Sequence, residues 1–249
     1  MIELLPLLLL FVLGLSLGSF GNVLVWRLPR NETVLGRSRC PHCQRMLGAI
    51  DLVPLLSYAW LRGRCRTCRE KIGARYPLLE LGGGLLGIVA YVLAPTFLGA
   101  ILLCSALVTL LVIAAIDGET QMIPDALSIA VIVLALAFRL ESGYVYVGGA
   151  VVGLFVFGGQ WLISRGRWLG SGDVLLSVGL GLLVGGAEQM IIAVLSSYII
   201  GALVALLGLA TGSLKRTDRL AFGPFLACGA LISLIVSPFI LQWLIARGW

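Results

Sequence analysis

An all-α polytopic membrane protein is the fold class this sequence predicts, and three observations predict it. Hydrophobic residues make up 59% of the 249 and charged residues only 12%, where ordinary soluble domains carry about 25%; mean hydropathy is +1.05. The apolar residues gather into runs close to the roughly 20 residues a membrane-crossing helix needs. The basic residues are distributed with a strong sidedness along the chain.

The runs number about eight: 3–24, 78–95, 97–116, 125–140, 144–164, 172–187, 189–211 and 221–246. The first reads as a retained helix. A cleaved signal has a basic start and an apolar core of about 7–15 residues, whereas here the only early charge is Glu3 and the run continues to Val25. The break between the sixth and seventh runs rests on Gly185-Gly186-Ala187-Glu188-Gln189. No internal repeat or low-complexity tail stands out, and the length does not demand several domains. The expected organisation is a first transmembrane helix over 1–25, a loop over 26–77, and a seven-helix membrane core over 78–249.

Eleven of the eighteen Lys and Arg residues lie between Arg27 and Arg75. The positive-inside rule places this loop in the cytoplasm and the N-terminus outside. Eight spans threaded from there leave Arg165, Arg167, Lys215, Arg216 and Arg219 inside, and only Arg139 and Arg247 outside. The basic charge is therefore topological, and its place beside membrane spans argues against a nucleic-acid partner.

The loop carries Cys40-Pro41-His42-Cys43 and Cys65-Arg66-Thr67-Cys68, two C-x-x-C knuckles separated by 21 residues. Paired knuckles at this spacing predict a four-thiolate zinc site of structural type, with no open coordination position. A cytoplasmic loop disfavours disulfides. Four unligated thiols is the bland alternative. His42, the only histidine, is expected in solvent. Its solitude makes Ser-His-Asp or Cys-His catalysis improbable, and no P-loop or dinucleotide fingerprint is present. Cys104 and Cys228, within apolar runs, are expected to be small packing residues.

Carboxylates at membrane depth are functional suspects. Asp117 closes the third run and Asp173 opens the sixth, both at the predicted cytoplasmic boundary. Two carboxylates brought together can share a proton, so one activates water and the other protonates the substrate. Gly170 and Gly172 would let a substrate backbone approach Asp173. For Asp173 a plain helix-capping role is an equal alternative. That reading fails for Asp117, at the negative end of a helix dipole. Asp125, after Pro124, reads as a helix start, Glu119 as a solvated turn residue, Glu80 as a partner for Arg75, and Glu188 as lying on the outer side.

These residues together resemble the type IV prepilin peptidases, the leader peptidase/N-methyltransferases of the GxGD aspartic protease class. Gly18-Ser19-Phe20-Gly21-Asn22-Val23 with Arg27-Leu28-Pro29 resembles the family's opening. The cysteine knuckles, Val53-Pro54-Leu55-Leu56-Ser57-Tyr58 and Arg75-Tyr76-Pro77-Leu78-Leu79-Glu80 are similar to its zinc loop and membrane re-entry. Asp117 with Ile123-Pro124-Asp125, Gly170-Ser171-Gly172-Asp173 and Phe222-Gly223-Pro224-Phe225 complete seven blocks in order. Leu175 departs from the pattern, which commonly has a lysine there. The resemblance implies a membrane aspartic endopeptidase with Asp117 and Asp173 catalytic. It would cut the short basic leader from type IV prepilins or type II secretion pseudopilins at the cytoplasmic face of the bacterial inner membrane. It also implies zinc on Cys40, Cys43, Cys65 and Cys68, and N-methylation of the new N-terminus with S-adenosylmethionine, for which no residue signature is visible. A peptidase without the methyltransferase is the nearer alternative. A cation-coupled transporter is the rival from another class, opposed by the absence of inverted repeats and by carboxylates gathered at one face. A non-catalytic assembly factor docking through the zinc loop is a third.

Overall fold

The computed structural model describes residues 3–215 and 217–246, with side chains as far as Ser237. Arg216 and Arg247, two members of the charge pattern, lie outside the described residues. The longer helices are α1 Leu4–Arg27, α3 Arg75–Leu93, α4 Phe97–Thr120, α5 Asp125–Glu141, α8 Ser171–Val184, α9 Ala187–Ala210 and α10 Gly223–Ala246. A short α2, Leu56–Trp60, lies in the cysteine loop. Between α5 and α8, α6 Gly148–Gly153 passes through a π-helical turn, Leu154–Gly158, into α7 Gly159–Ser164. Every one of the eight apolar runs is thus helical. Among the described residues four stretches are long and apolar enough to cross a membrane: Leu4–Arg30, Arg75–Leu93, Phe97–Thr120 and Ala187–Ala210. Gly148–Ser164, Ser171–Val184 and Gly223–Ser237 are apolar but shorter.

The chain divides into two compact units, Met1–Val112 and Ile113–Trp249. In the first, α1 and α3 cross at backbone contact. A Cβ on Gly14 would fall 2.1 Å from the Gly83 carbonyl oxygen, one on Gly18 2.4 Å from that of Leu79, and one on Gly87 2.2 Å from that of Leu10. Gly14 and Gly18 on one helix, and Gly83 and Gly87 on the other, form the small-xxx-small pattern that lets membrane helices approach closely.

The second unit repeats the device. Gly149 and Gly153 on α6 meet Gly181 and Ser177 on α8, with a Gly149 Cβ 2.4 Å from the Gly181 carbonyl. Gly229 on α10 lies against Ala193 and Ser197 of α9, where the Ser233 hydroxyl also donates to the Gln189 carbonyl at 2.6 Å. The other faces carry large exposed apolar side chains, Ile191, Leu195, Ile199 and Leu203 along α9 among them. A helix apolar on all sides is built for a lipid surround.

Four expectations need adjusting. α4 does not stop at 116 but runs to Thr120, so Asp117 lies within its last turn and Glu119, though exposed, is helical rather than in a turn. The turn ends where Gln121 takes a left-handed backbone, φ 55°. Arg139 is more than an outer charge: its guanidinium donates to the Leu182 and Leu183 carbonyls, capping α8 where Gly185, φ +100°, breaks it. Cys104 is fully buried, but Cys228 is exposed and not a packing residue. Glu80, expected beside Arg75, is buried and accepts the Leu55 backbone N–H at 2.8 Å.

Candidate functional sites: a thiolate cluster and a carboxylate pair

The two cysteine knuckles have the same local geometry. In each, the residue before the first cysteine bridges across a tight turn, Arg39 to Met46 and Arg64 to Lys71. The first cysteine's carbonyl accepts the N–H of the residue after the second, Gln44 or Arg69. Both of those residues are left-handed, φ 56° and 61°. The sequence suggested no repeat because only the cysteines and the preceding arginine match; the backbone repeats nonetheless.

The turns bring four sulfurs together. Cys40 Sγ lies 3.8 Å from Cys68 Sγ, and Cys43 Sγ 4.0 Å from Cys65 Sγ. All four lie within 4.8 Å of one another. Four thiolates at about 2.3 Å from a tetrahedral metal sit about 3.8 Å apart, so the cluster can hold a metal ion. The N–H groups of Cys68 and Thr67 aim at the Cys65 sulfur and lower its pKa, while burial and the neighbouring sulfurs push that of Cys68 up, so Cys65 is the readier of the two to ionise. His42 is exposed, as expected.

Asp51 ties the knuckles to each other. Its carboxylate takes the Arg45 guanidinium on one oxygen and Arg66 Nε at 2.9 Å on the other, and also accepts the Gly48 N–H at 3.2 Å. Burial alone would raise its pKa, but the Gly48 N–H and the two arginines outweigh it and hold the carboxyl below its ordinary range. Sequence inspection passed over Asp51, since one of three acids among eleven basic residues reads as incidental.

In the second unit Asp117 and Asp173 lie within electrostatic reach of one another. Asp117 is 5% exposed, and its Oδ2 accepts the Gly223 N–H at 2.7 Å. That N–H is one of the free donors at the start of α10, where the dipole is positive. Asp173 occupies the third residue of α8, and its Oδ2 accepts the Gly170 N–H at 3.0 Å. The capping alternative therefore holds as geometry, while Asp173 stays only half-buried beside a second carboxylate. The two roles coexist.

Of the two motif glycines, Gly170 is exposed beside Asp173, whereas Gly172 serves the frame. Gly172 packs on Ile123, whose carbonyl oxygen would lie 3.1 Å from an added Cβ. Gly223 is the residue whose role sequence inspection missed: its Cβ would lie 2.9 Å from Asp117 Oδ2. Phe222, next to it, sits in a ring cluster with Tyr198 at 5.2 Å and Phe157 at 6.0 Å between centroids. Phe157 projects from the π-helical turn and is fully buried. Leu175, flagged as a departure, is half-buried.

Comparison with known proteins agrees with this layout. A family model described as the bacterial peptidase A24 N-terminal domain matches residues 12–94, and one described as the type IV leader peptidase family matches residues 104–206. A prepilin leader peptidase/N-methyltransferase of Burkholderia pseudomallei (strain 1026b) is 37% identical over 268 residues, covering 92% of this chain and 85% of that protein. The protein of the same name from Aeromonas hydrophila is 34% identical, covering 94% and 92%. That from Klebsiella pneumoniae is 39% identical, covering 71% and 84%. No solved structure matches the chain.

Proposed function

Because the chain belongs to the type IV leader peptidase family, we propose that it is a membrane aspartic endopeptidase. It removes the short basic leader from type IV prepilins or type II secretion pseudopilins and then methylates the new N-terminus. The observation that carries this reading is the proximity of Asp117 and Asp173, each with one oxygen already oriented by a backbone N–H. Two such carboxylates hold one proton between them, because joint ionisation at short range is costly.

In the peptidase step the ionised carboxylate takes a proton from water, whose oxygen attacks the scissile carbonyl carbon. The protonated carboxyl donates to the carbonyl oxygen, giving a neutral tetrahedral intermediate. Collapse breaks the C–N bond as the carboxyl proton passes to the leaving nitrogen and the other carboxylate takes a hydroxyl proton from the intermediate, so the pair again shares one proton. For the second activity S-adenosylmethionine, when bound, would supply the methyl group that the new N-terminal amine accepts.

Cys40, Cys43, Cys65 and Cys68 hold zinc as a structural ion, stapling a loop with little core of its own. The chain sits in the bacterial inner membrane with eight spans, its N-terminus outside, and the loop and both aspartates at the cytoplasmic face, as the basic residues favour. The first helix (1–25), the zinc loop (26–77) and the seven-helix core (78–249) are its working parts.

The test is precursor processing by purified protein. Asp117→Asn and Asp173→Asn are each expected to lower leader release by at least about 1000-fold, judged against other catalytic-group deletions, while the protein accumulates to wild-type level. Normal cleavage by either variant sinks the reading.

A further inference from the structure

We propose that α2 of the cysteine loop lies in the membrane interface, with Leu56 and Trp60 set among the lipids and Arg62 and Arg64 against their anionic headgroups. This placement is independent of the aspartates and involves only the first compact unit.

Trp26 marks the depth. It is exposed near the end of α1, with the Arg30 guanidinium 3.7 Å from its ring centroid. Tryptophan beside a cation is characteristic of a bilayer surface. Gly18 lies eight residues earlier on the same helix, about 12 Å deeper at 1.5 Å per residue. It packs on Glu80 of α3, whose Cα would lie 3.0 Å from an added Gly18 Cβ. Between the two levels, Asn22 donates its amide to the Tyr76 carbonyl at 3.2 Å and keeps its Oδ1 buried without a partner among the described residues. The Glu80 carboxylate accepts the Leu55 N–H at 2.8 Å. A glutamate side chain reaches only about one helical turn, roughly 5 Å, from its backbone, so Leu55 lies on the membrane side of Trp26. Leu55 takes a positive φ of 59° there, a costly conformation for leucine that the Glu80 bond holds in place.

α2 has two faces. Ser57, Tyr58 and Leu61 line a cavity of about 730 Å³ that Asn22 and Glu80 also line. Leu56 and Trp60, four residues apart and so on one side of the turn, do not line it; both are exposed, Trp60 at 84%. The turn before them, Ala49–Leu52, packs against α2 and adds exposed Ile50 and Leu52, with Val53 following. A cluster of large apolar side chains is unfavourable in water and ordinary in a bilayer interface.

Charge selects the occupant. Exposed Arg62 and Arg64 directly follow Trp60, within a segment, Arg27 to Arg75, that carries eleven basic residues and three acidic ones. Such a segment beside a span is attracted to anionic lipid. A second copy of the same face would set like charge against like.

The experiment uses the full chain with its metal retained, in nanodiscs of phosphatidylcholine mixed with phosphatidylglycerol. p-Benzoylphenylalanine in place of Trp60 is photolysed and its adducts are identified by mass spectrometry, with the same group in place of Leu203, exposed on α9, as the lipid reference. The expected result is lipid adduct at position 60 in a yield comparable to that at 203, with phosphatidylglycerol enriched roughly twofold or more over its share of the bilayer. Arg62→Gln combined with Arg64→Gln is expected to abolish the enrichment and keep the adduct, at wild-type metal content. A second measurement needs no photoreactive group. Phosphatidylcholine brominated near its headgroup is expected to quench the emission that Trp60 contributes, read as wild type minus Trp60→Phe. Adducts to a second copy or to the chain itself in place of lipid, an even share of phosphatidylglycerol, enrichment that survives the double substitution, or unquenched Trp60 emission each overturn the proposal.

Discussion

Gly223 shows how a residue without a side chain can govern a carboxylate proposed to be catalytic. Its N–H holds Asp117 Oδ2 at 2.7 Å, and an added Cβ would sit 2.9 Å from that same oxygen. Gly223→Ala must displace the carboxylate or the helix start. A misplacement near 1 Å costs on the order of 100-fold in rate, so leader cleavage by this variant is expected to fall by about that factor while the protein still accumulates; a kinetic assay beside an immunoblot checks it. Asp51 makes a different residue-level prediction. Its carboxyl is more acidic folded than unfolded. The stability it lends the loop is therefore complete above the ordinary carboxylate range and fades as pH falls through the lower, folded value. Limited proteolysis should find Asp51→Asn more susceptible than wild type at neutral pH, with the gap closing in strong acid. A gap that widens on acidification would contradict the pairing.

At the scale of elements, the packing relies on carbonyl-to-glycine contacts. Lipid tails are as apolar as leucine, so helices gain little by hiding apolar surface from them, and close approach of small residues takes over. Two glycine substitutions separate this from mere helix propensity. Gly83→Ala puts a methyl 2.3 Å from the Gly14 carbonyl oxygen, whereas Gly159→Ala meets nothing within 4 Å. Thermal unfolding in detergent is expected to show a marked loss for the first, on the order of 1–3 kcal/mol as for overpacking generally, and no loss for the second. Equal effects would mean that backbone approach is not what holds α1 to α3. The same logic explains what sequence inspection left unread. The motif glycines Gly172 and Gly223 signalled importance, but spacing alone does not say whether a glycine admits a substrate or a neighbouring helix.

For the molecule as a whole, charge is the orienting influence. The basic residues between Arg27 and Arg75 outnumber those of any other segment, and moving them across a bilayer is costly. Reporter fusions are expected to place residues 28–74 inside and Glu188 outside. An outside location for the cysteine loop would invert the entire threading and remove both aspartates from the cytoplasmic boundary. The family assignment was readable from the chain because its blocks are short, local and ordered: two knuckles, an aspartate closing an apolar run, and Gly170-Ser171-Gly172-Asp173. Asn22 was quoted within the opening block without any role, since nothing about an asparagine in an apolar helix says that its oxygen will be buried without a partner.

The sequence by itself determined that the chain is helical and apolar, that four thiols are paired for a metal, and that two aspartates stand at the ends of apolar runs. These are matters of composition and of spacing along the chain, which local backbone geometry translates directly. Only the tertiary structure decided that Gly223 orients Asp117 across 106 positions of chain, that Arg139 caps a different helix, and that Asn22 and Glu80 face one cavity. Such pairings depend on which helix faces meet, and helix-facing is set by small residues whose identity is the same whatever lies opposite them.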